Sequence, residues 1–334
     1  MSSRVTWRRA LLTLSVSVAL SAPFVLVPSA HATGPSSPIA AVWTEPHAGY
    51  GFLDAAIEGA HRSIDVSMYE LSDSTIERDL VAKARAGVSV RVLLNSDYDG
   101  RYENTAAATV LRAGSVDVAW APAGTIFHAK YIVIDDRTAY IGTGNLVAYD
   151  YSSTRDFWVR DADRPDVAAV LSTFNVDFAG RENAPSPSGG LVWSPGSTGT
   201  LVGLIDSARS SVLVENEEMN SPAIEQALTN DAKRGVEVKV VMTYSSEWTS
   251  ALNALARAGV RVSLLNSSQV YIHAKVICVD CGASAGTVFI GSENFSTSSL
   301  SYNRELGVIT RSLNAIHAVK AAVDSDYALG KVSS

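Results

Sequence analysis

The chain of 334 residues is 47% hydrophobic and carries a formal net charge of −7 at neutral pH. The hydrophobic share is that of a globular protein with a buried core, which excludes a disordered chain. The length allows one large domain or two of ordinary size. An acidic protein repels polyanions at long range, which counts against one that grips long nucleic acid through many phosphates.

The first 32 residues have the pattern of a secretory signal peptide. Arg4, Arg8 and Arg9 precede an apolar stretch, and residues 30–32 (Ala-His-Ala) fit a small-x-small cleavage site. We expect cleavage near Ala32 and a secreted, extracellular protein; an uncleaved membrane anchor is the alternative. This segment contains three arginines and no acidic residue, so its removal changes the net charge from −7 to −10.

The rest of the chain repeats itself. Residues 60–71 resemble residues 208–219, and each stretch precedes a helical pattern, a glycine and a β-branched run. Gly87 and Gly235 suit the left-handed position after a helix. In chain order, the patterns predict helices over 76–86, 109–114, 224–234 and 252–259, which alternate with strands over 88–94, 116–120, 236–242 and 260–265.

This alternation of helices and strands predicts an α/β fold. We expect two similar α/β/α sandwich halves related by a pseudo-twofold axis, with an active site at their interface. The halves are placed at residues 38–182 and 198–330. A stretch rich in Pro, Ser and Gly, residues 183–197, is predicted to be a linker.

One polar motif occurs at matching places in both halves. It consists of a histidine, a lysine two residues later and an aspartate five residues after the lysine: His128, Lys130 and Asp135, then His273, Lys275 and Asp280. Residues two apart in a strand point to the same face, so each histidine should project together with its lysine. The aspartates fall at the strand ends, where we expect them to brace the lysines and the next turn.

Two further features recur after each motif. A turn carries a hydroxyl and an amide that can bind a phosphate anion: Thr143 and Asn145 in the first half, Ser292 and Asn294 in the second. Farther along, an acid follows an arginine, and these acids are Asp156 and Glu305. A carboxylate in that place can accept a hydrogen bond from a histidine ring and fix its tautomer.

Together these residues resemble the phospholipase D superfamily over nearly all of the chain, from about Ile39 to Leu329. Residues 303–306 (Asn-Arg-Glu-Leu) also look like the family's motif after the second copy. The first half departs from it at residues 154–157 and has Thr143 where serine is usual. Both changes keep the chemical group.

The resemblance implies phosphodiester cleavage through a covalent phosphohistidine, with His128 as nucleophile and His273 as general acid and base. Lys130 and Lys275 would neutralise the phosphate oxygens, and Asp156 and Glu305 would orient the rings. No metal or other cofactor is expected, because the sequence has no carboxylate or Cys/His cluster with ligand spacing.

Three functions remain open. The first is hydrolysis of phospholipid headgroup esters at a membrane or micelle surface, with or without transfer to an alcohol. The second is a metal-independent nuclease, and the third is non-catalytic binding of a phosphate ligand; no protein partner is implied. Aromatic residues at the cleft mouth would favour lipid, and the candidates are Trp120, Phe127, Tyr149, Tyr151, Trp248 and Tyr271. Arginines leading away from the cleft would favour nucleic acid, and the candidates are Arg101, Arg155 and Arg304.

Cys278 and Cys281 allow two interpretations. In an exported protein they form a structural disulfide. Otherwise they are two free buried thiols.

Overall fold

A computed structural model describes residues 39–181, 183–282 and 286–332; the predicted signal peptide lies outside them. The first half contains β1 (Ile39–Thr44), α1 (Gly51–Glu58), β2 (Ser63–Met68), α2 (Ser74–Arg85), β3 (Ser89–Leu94), α3 (Gly100–Ala113), β4 (Asp117–Trp120), β5 (Lys130–Ile134), β6 (Thr138–Gly142), β7 (Thr154–Arg155), β8 (Phe157–Asp161) and α4 (Arg164–Phe178). The second contains β9 (Leu191–Ser194), α5 (Thr198–Asp206), β10 (Ser211–Glu215), β11 (Met219–Asn220), α6 (Pro222–Lys233), β12 (Glu237–Thr243), α7 (Thr249–Arg257), β13 (Arg261–Leu265), β14 (Tyr271–Ile272), β15 (Val276–Val279), β16 (Thr287–Gly291), β17 (Phe295–Ser296), α8 (Thr297–Ser301), β18 (Glu305–Thr310), α9 (Leu313–Leu329) and β19 (Lys331–Val332).

The predicted elements are present, with two differences in extent. Helix α3 begins at Gly100, nine residues before the predicted start, and buries Asn104, Ala107 and Leu111 on one face. The predicted linker 183–197 contains β9, whose apolar residues are hidden among Pro, Gly and Ser. The glycines after α2 and α6 have φ of 89° and 90°, as a left-handed C′ position requires.

Both halves build a mixed sheet with the same strand order. The seven-stranded sheet has the order β1-β8-β6-β5-β2-β3-β4, and the eight-stranded sheet has the order β9-β18-β16-β15-β10-β12-β13-β19. In each sheet, the three strands joined by helical crossovers are parallel, and the other pairings are antiparallel. This matching topology confirms the predicted duplicated α/β architecture.

The described residues form three apolar core clusters. One lies between the first sheet and α1–α3, and another between the second sheet and α5–α7. The third combines side chains of both halves, including Tyr131 and Phe157 with Ile290, Val308 and Val319. Burying a large apolar side chain contributes about 1.5–3 kcal/mol, so this shared cluster binds the two sheets into one unit.

Short backbone segments also cross between the halves. Strand β14 pairs in parallel with β7, so that Ile272 lies opposite Arg155. At the related place, Phe127 forms a parallel bridge with Arg304. Each motif is therefore attached, just before its histidine, to the opposite half.

Two buried arginines reinforce this crossing. Arg155 donates through Nε and Nη2 to Asp326 of α9, at 2.6 and 3.0 Å. Arg304 donates through Nη2 to Asp177 of α4, at 3.1 Å. Each arginine thus pairs with a helix of the other half.

Cys278 and Cys281 are joined by a disulfide, which decides between the two interpretations of the pair. In the part of the chain that the structure describes, no helix is both long and apolar enough to cross a bilayer.

We expect Asp326→Asn to destabilise the protein by about 3–5 kcal/mol, because it leaves the buried Arg155 without its counter-ion. The matched control is Asp324→Asn on the same helix, whose side chain is 36% exposed and pairs with Lys239 and Lys320. That change should cost about 0–1 kcal/mol. Urea denaturation of both variants measures the difference, and equal midpoints would contradict a structural role for the Arg155 pair.

Candidate active site

The two motif histidines are positioned by backbone of the opposite half. His128 N donates to Arg304 O at 2.8 Å, and His273 N donates to Arg155 O at 3.2 Å. Both lie just before β5 and β15 rather than within them, contrary to the prediction that each shares a strand with its lysine. Both rings line one cavity of about 400 Å³.

Each ring also meets the acid of the other half. His128 Nδ1 lies 2.8 Å from Glu305 Oε2, and His273 Nδ1 lies 2.9 Å from Asp156 Oδ1. Burial would raise the pKa of each acid, but the adjacent imidazole holds the pKa of both carboxyls below the usual value. An ionised carboxylate accepts from Nδ1–H, which leaves Nε2 for a substrate.

The hydroxyls of Thr143 and Ser292 serve these acids, so their predicted role as phosphate ligands is wrong. Thr143 Oγ1 donates to Asp156 Oδ1 at 2.5 Å, and Ser292 Oγ donates to Glu305 Oε2 at 2.7 Å. Both residues are fully buried. Because each hydroxyl proton is used inside the protein, the hydroxyls position the acids that orient the histidines.

The two lysines are buried beneath the histidines. Lys130 and Lys275 have no exposed side-chain surface, and each Nζ donates to the carbonyl of its own histidine, at 2.6 and 2.5 Å. Burial and the nearby ammonium of Lys275 lower the pKa of Lys130 to about 7. Two cations this close would be stabilised by an anionic ligand such as a phosphodiester.

The asparagines of the turns, which are predicted to bind phosphate, line the cavity together with two glutamates that sequence reasoning missed. Asn145 Nδ2 donates to Glu70 Oε2 at 3.3 Å, and Asn294 Nδ2 donates to Glu218 Oε1 at 3.0 Å. Burial raises the pKa of both glutamates. Glu70 and Glu218 occupy the same position in the repeated segments 60–71 and 208–219. This recurrence was the sequence feature that could have identified them as site residues.

The residue before each glutamate differs between the halves. Tyr69 packs edge-on against His128, with ring centroids 4.7 Å apart, and its ring lies 5.0 Å from Lys130 Nζ. Its counterpart is Glu217, whose Oε2 lies 3.0 Å from Lys275 Nζ and 3.6 Å from His273 Nε2.

The motif aspartates do not brace the lysines, and that prediction is wrong. Asp135 Oδ1 accepts from the backbone N–H of Arg62 at 2.6 Å and of Ser63 at 3.1 Å, at the far end of β5. Asp280 Oδ1 likewise accepts from the N–H of Ser210 at 2.8 Å. Burial opposes the effect, but the Ser210 hydroxyl at Asp280 and the backbone hydrogen bonds at both aspartates lower the pKa of each carboxyl. They fasten the turn before β2 or β10.

The cavity wall is acidic and aromatic. Its acidic lining residues are Glu70, Asp150, Asp156, Glu217 and Glu218, and its tyrosines are Tyr50, Tyr69, Tyr151 and Tyr271. Among the described residues, no arginine or lysine lines it. Within the same described part of the chain, no three His, Cys, Asp or Glu side chains are grouped so as to hold a metal ion.

A family model described as "Cardiolipin synthase, PLD-like domain" matches residues 53–178 and again residues 201–327. Each match contains one copy of the motif. The chain belongs to the phospholipase D superfamily. The predicted family, and with it the class of phosphodiesterases and phosphatidyltransferases, is therefore confirmed.

Individual proteins that resemble this chain share 30% sequence identity or less with it. The phospholipase D of Rickettsia prowazekii (strain Madrid E) is 30% identical over 110 residues, which cover 33% of this chain and about half (53%) of that protein. Phosphatidylserine synthase of Haemophilus influenzae Rd KW20 superposes with a TM-score of 0.69 at 11% identity, over 91% of this chain and 90% of that one. Polyphosphate kinase of Porphyromonas gingivalis also superposes with a TM-score of 0.69 at 17% identity, over 85% of this chain and 46% of that one. The two structural matches show a shared fold.

The crossed contacts lead to a prediction about the acids. Glu305→Gln and Asp156→Asn should each lower kcat for a phosphodiester by about 100-fold or more, because the opposite imidazole loses the carboxylate that orients it. Steady-state kinetics on either variant would test this.

The control for the acid variants is Asp135→Asn, which changes an aspartate of the motif outside the cavity. We expect it to cost about 1–2 kcal/mol of stability and to leave kcat within about twofold of wild type. A large loss of kcat in this variant would instead indicate a catalytic role for Asp135.

Proposed function

We propose that this protein is an exported phosphodiesterase that hydrolyses phospholipid headgroup esters through a covalent phosphohistidine. When an alcohol replaces water in the second step, the phosphatidyl group is transferred to it. The observation that carries the proposal is the convergence of two histidines on one cavity, each oriented by an acid of the opposite half, above two buried ammonium groups.

In the first step, His128 is the nucleophile. Burial lowers the pKa of His128 to about 4, so its ring is neutral near neutral pH. With Nδ1–H donated to Glu305, the Nε2 lone pair attacks phosphorus, and the bond from phosphorus to the headgroup oxygen breaks. Protonated His273 donates its proton to that leaving oxygen. Lys130 and Lys275 offset the charge on the non-bridging oxygens.

In the second step, water or an acceptor alcohol attacks the phosphorus of phosphohistidine. His273, now neutral, takes the proton from the attacking oxygen as general base. The bond from phosphorus to His128 Nε2 breaks, and both histidines return to their starting protonation states. The products are a free headgroup alcohol and either phosphatidic acid or a new phosphatidyl ester.

The electrostatics of the cavity favour a lipid over a nucleic acid. A nucleic acid brings neighbouring phosphates to the acidic wall of the cavity, where they are repelled. Arg155 and Arg304, two candidates for a nucleic-acid track, are instead buried in ion pairs with Asp326 and Asp177. The third candidate, Arg101, lies over the ring of Trp120, 4.1 Å from its centroid.

Aromatic side chains at the cavity support a lipid surface as the site of action. Tyr149, next to the lining residue Asp150, is 89% exposed. Tyr244 of the other half is 64% exposed and lines an adjoining cavity that shares Tyr271 with the first. Exposed tyrosines suit the boundary between water and acyl chains.

Of the other aromatic residues considered for the cleft mouth, three line a cavity and one is buried in the core. Tyr151 and Tyr271 line the catalytic cavity, and Trp248 lines the adjoining one. Phe127 is buried in the shared core.

Export is supported by the N-terminal sequence pattern and by the disulfide between Cys278 and Cys281. Disulfides persist in oxidising compartments.

We expect hydrolysis of phosphatidylcholine vesicles in the presence of EDTA at the same rate as in its absence, because lysines and hydrogen-bond donors provide the electrostatic stabilisation. Plasmid DNA in a parallel assay should remain uncut. His128→Ala should lower the lipid rate by at least about 1,000-fold. Cleavage of DNA but not lipid would assign a nuclease instead, and turnover of neither would assign a binding protein.

A second prediction concerns the exposed tyrosines. The double variant Tyr149→Ala/Tyr244→Ala should lower kcat/KM on vesicles by about tenfold, which corresponds to about 1.4 kcal/mol of lost interfacial contact. It should leave a soluble short-chain diester unaffected. The matched control is Tyr302→Ala, since Tyr302 is 69% exposed but lines a separate cavity. An equal loss on both substrates would contradict a role in binding the lipid surface.

A further inference from the structure

The two halves of the active site share most of their polar groups, but they differ in the residue that faces the histidine and the lysine. Each half supplies a histidine, a buried lysine, an asparagine and an orienting acid for the other half. The residue that faces the histidine and lysine from the end of the first repeated strand is Tyr69 in one half and Glu217 in the other. A carboxylate stabilises a proton on a nearby imidazole through its charge, whereas a neutral ring does not.

The carboxylate of Glu217 is held firmly in place. Tyr271 Oη donates to its Oε1 at 2.8 Å, and Lys275 Nζ lies 3.0 Å from its Oε2. Burial would raise the pKa of Glu217, but Lys275 and His273 hold it far below its usual value. The Glu217 carboxyl is therefore ionised near neutral pH and places a negative charge beside His273 Nε2.

We propose that Glu217 is a positioning residue that assigns the roles of the two histidines, by keeping the proton on His273 Nε2 and so reserving His273 as the acid. This inference rests on the proposed function. His128, whose Nε2 has no such carboxylate within 4.0 Å among the described residues, is left as the nucleophile.

Apart from Glu217, the charged groups closest to His273 have counterparts around His128. Asp156 accepts at Nδ1, but Glu305 does the same for His128. Lys275 lies beneath His273 as Lys130 lies beneath His128. Glu70 and Asp150 act on His273 only at longer range, and neither forms an ion pair with it within the described residues.

The placement also fits the order of the chemistry. The alcohol that leaves phosphorus must take a proton from His273, because an alkoxide is a poor leaving group. A carboxylate at Nε2 holds that proton until the phosphodiester enters between the two rings. The ring that attacks must instead be unprotonated, and an aromatic neighbour such as Tyr69 does not stabilise a proton on it by charge.

The test is Glu217→Gln, assayed across pH on two substrates that differ only in the leaving group. One is phosphatidylcholine, whose leaving alcohol needs a proton, and the other is the matched phosphatidyl ester of p-nitrophenol, whose anion leaves unaided. For phosphatidylcholine, we expect the alkaline limb of kcat/KM to move down by about one pH unit or more. The acidic limb, set by His128, should stay in place, and the nitrophenyl ester should be cleaved nearly as fast as by wild type.

The control is Glu247→Gln, which removes another negative charge from the adjoining cavity but not one beside His273. Its pH profiles should match wild type.

Several outcomes would overturn the inference. An unmoved alkaline limb in Glu217→Gln, with equal losses on both esters, would reduce Glu217 to a structural residue. Faster cleavage at every pH would make it an obstacle to phosphate binding. A wild-type protein that turns over neither ester would instead refute the proposed function, and this inference with it.

Discussion

The active site depends on a reciprocal exchange between two halves of one chain. Residues 154–156 and 303–305 each reach from their own sheet to the opposite motif. Their backbone hydrogen-bonds to the opposite histidine, their arginine pairs with a helix of the opposite half, and their acid binds the opposite ring. Neither half alone contains a complete histidine–acid pair, so docking of the sheets and assembly of the site are the same event.

This exchange explains why so many polar groups are buried at the interface. Burying an arginine, a lysine or a carboxylate is costly unless it is paired and hydrogen-bonded. Here the arginines have acids, the acids have histidines and hydroxyls, and the lysines have carbonyl oxygens. Thr143 and Ser292 matter for this reason, because each satisfies a carboxylate that would otherwise face the core with fewer partners.

The duplicated arrangement poses a difficulty for the proposed mechanism. Two identical halves would present two equivalent imidazoles, whereas cleavage through phosphohistidine needs one ring neutral and one protonated. The sheets, lysines, asparagines and orienting acids are shared features of both halves. The departure at Tyr69 and Glu217 places unlike environments around the rings without disturbing the common framework.

Much of this protein was predictable from contiguous stretches of sequence. The period of apolar residues indicated the strands and helices, the internal repeat indicated duplication, and the recurrent motif indicated two histidines that the structure places at one cavity. These are local properties, since a strand or a turn is specified by neighbours in the chain. The same local spacing led to error for Asp135 and Asp280, which lie near the lysines in sequence but at the opposite end of their strands.

What the tertiary structure alone decided is which partners meet. His128 and Glu305 are 177 residues apart, and His273 and Asp156 are 117 apart. Their recurrent position after each motif identified these two acids in the sequence, but not the histidine that each one meets, because the crossed pairing follows from how the apolar faces of the two sheets pack together. Glu217 reached the site in the same way: its chemistry was visible in the sequence, but its position beside His273 Nε2 required the fold.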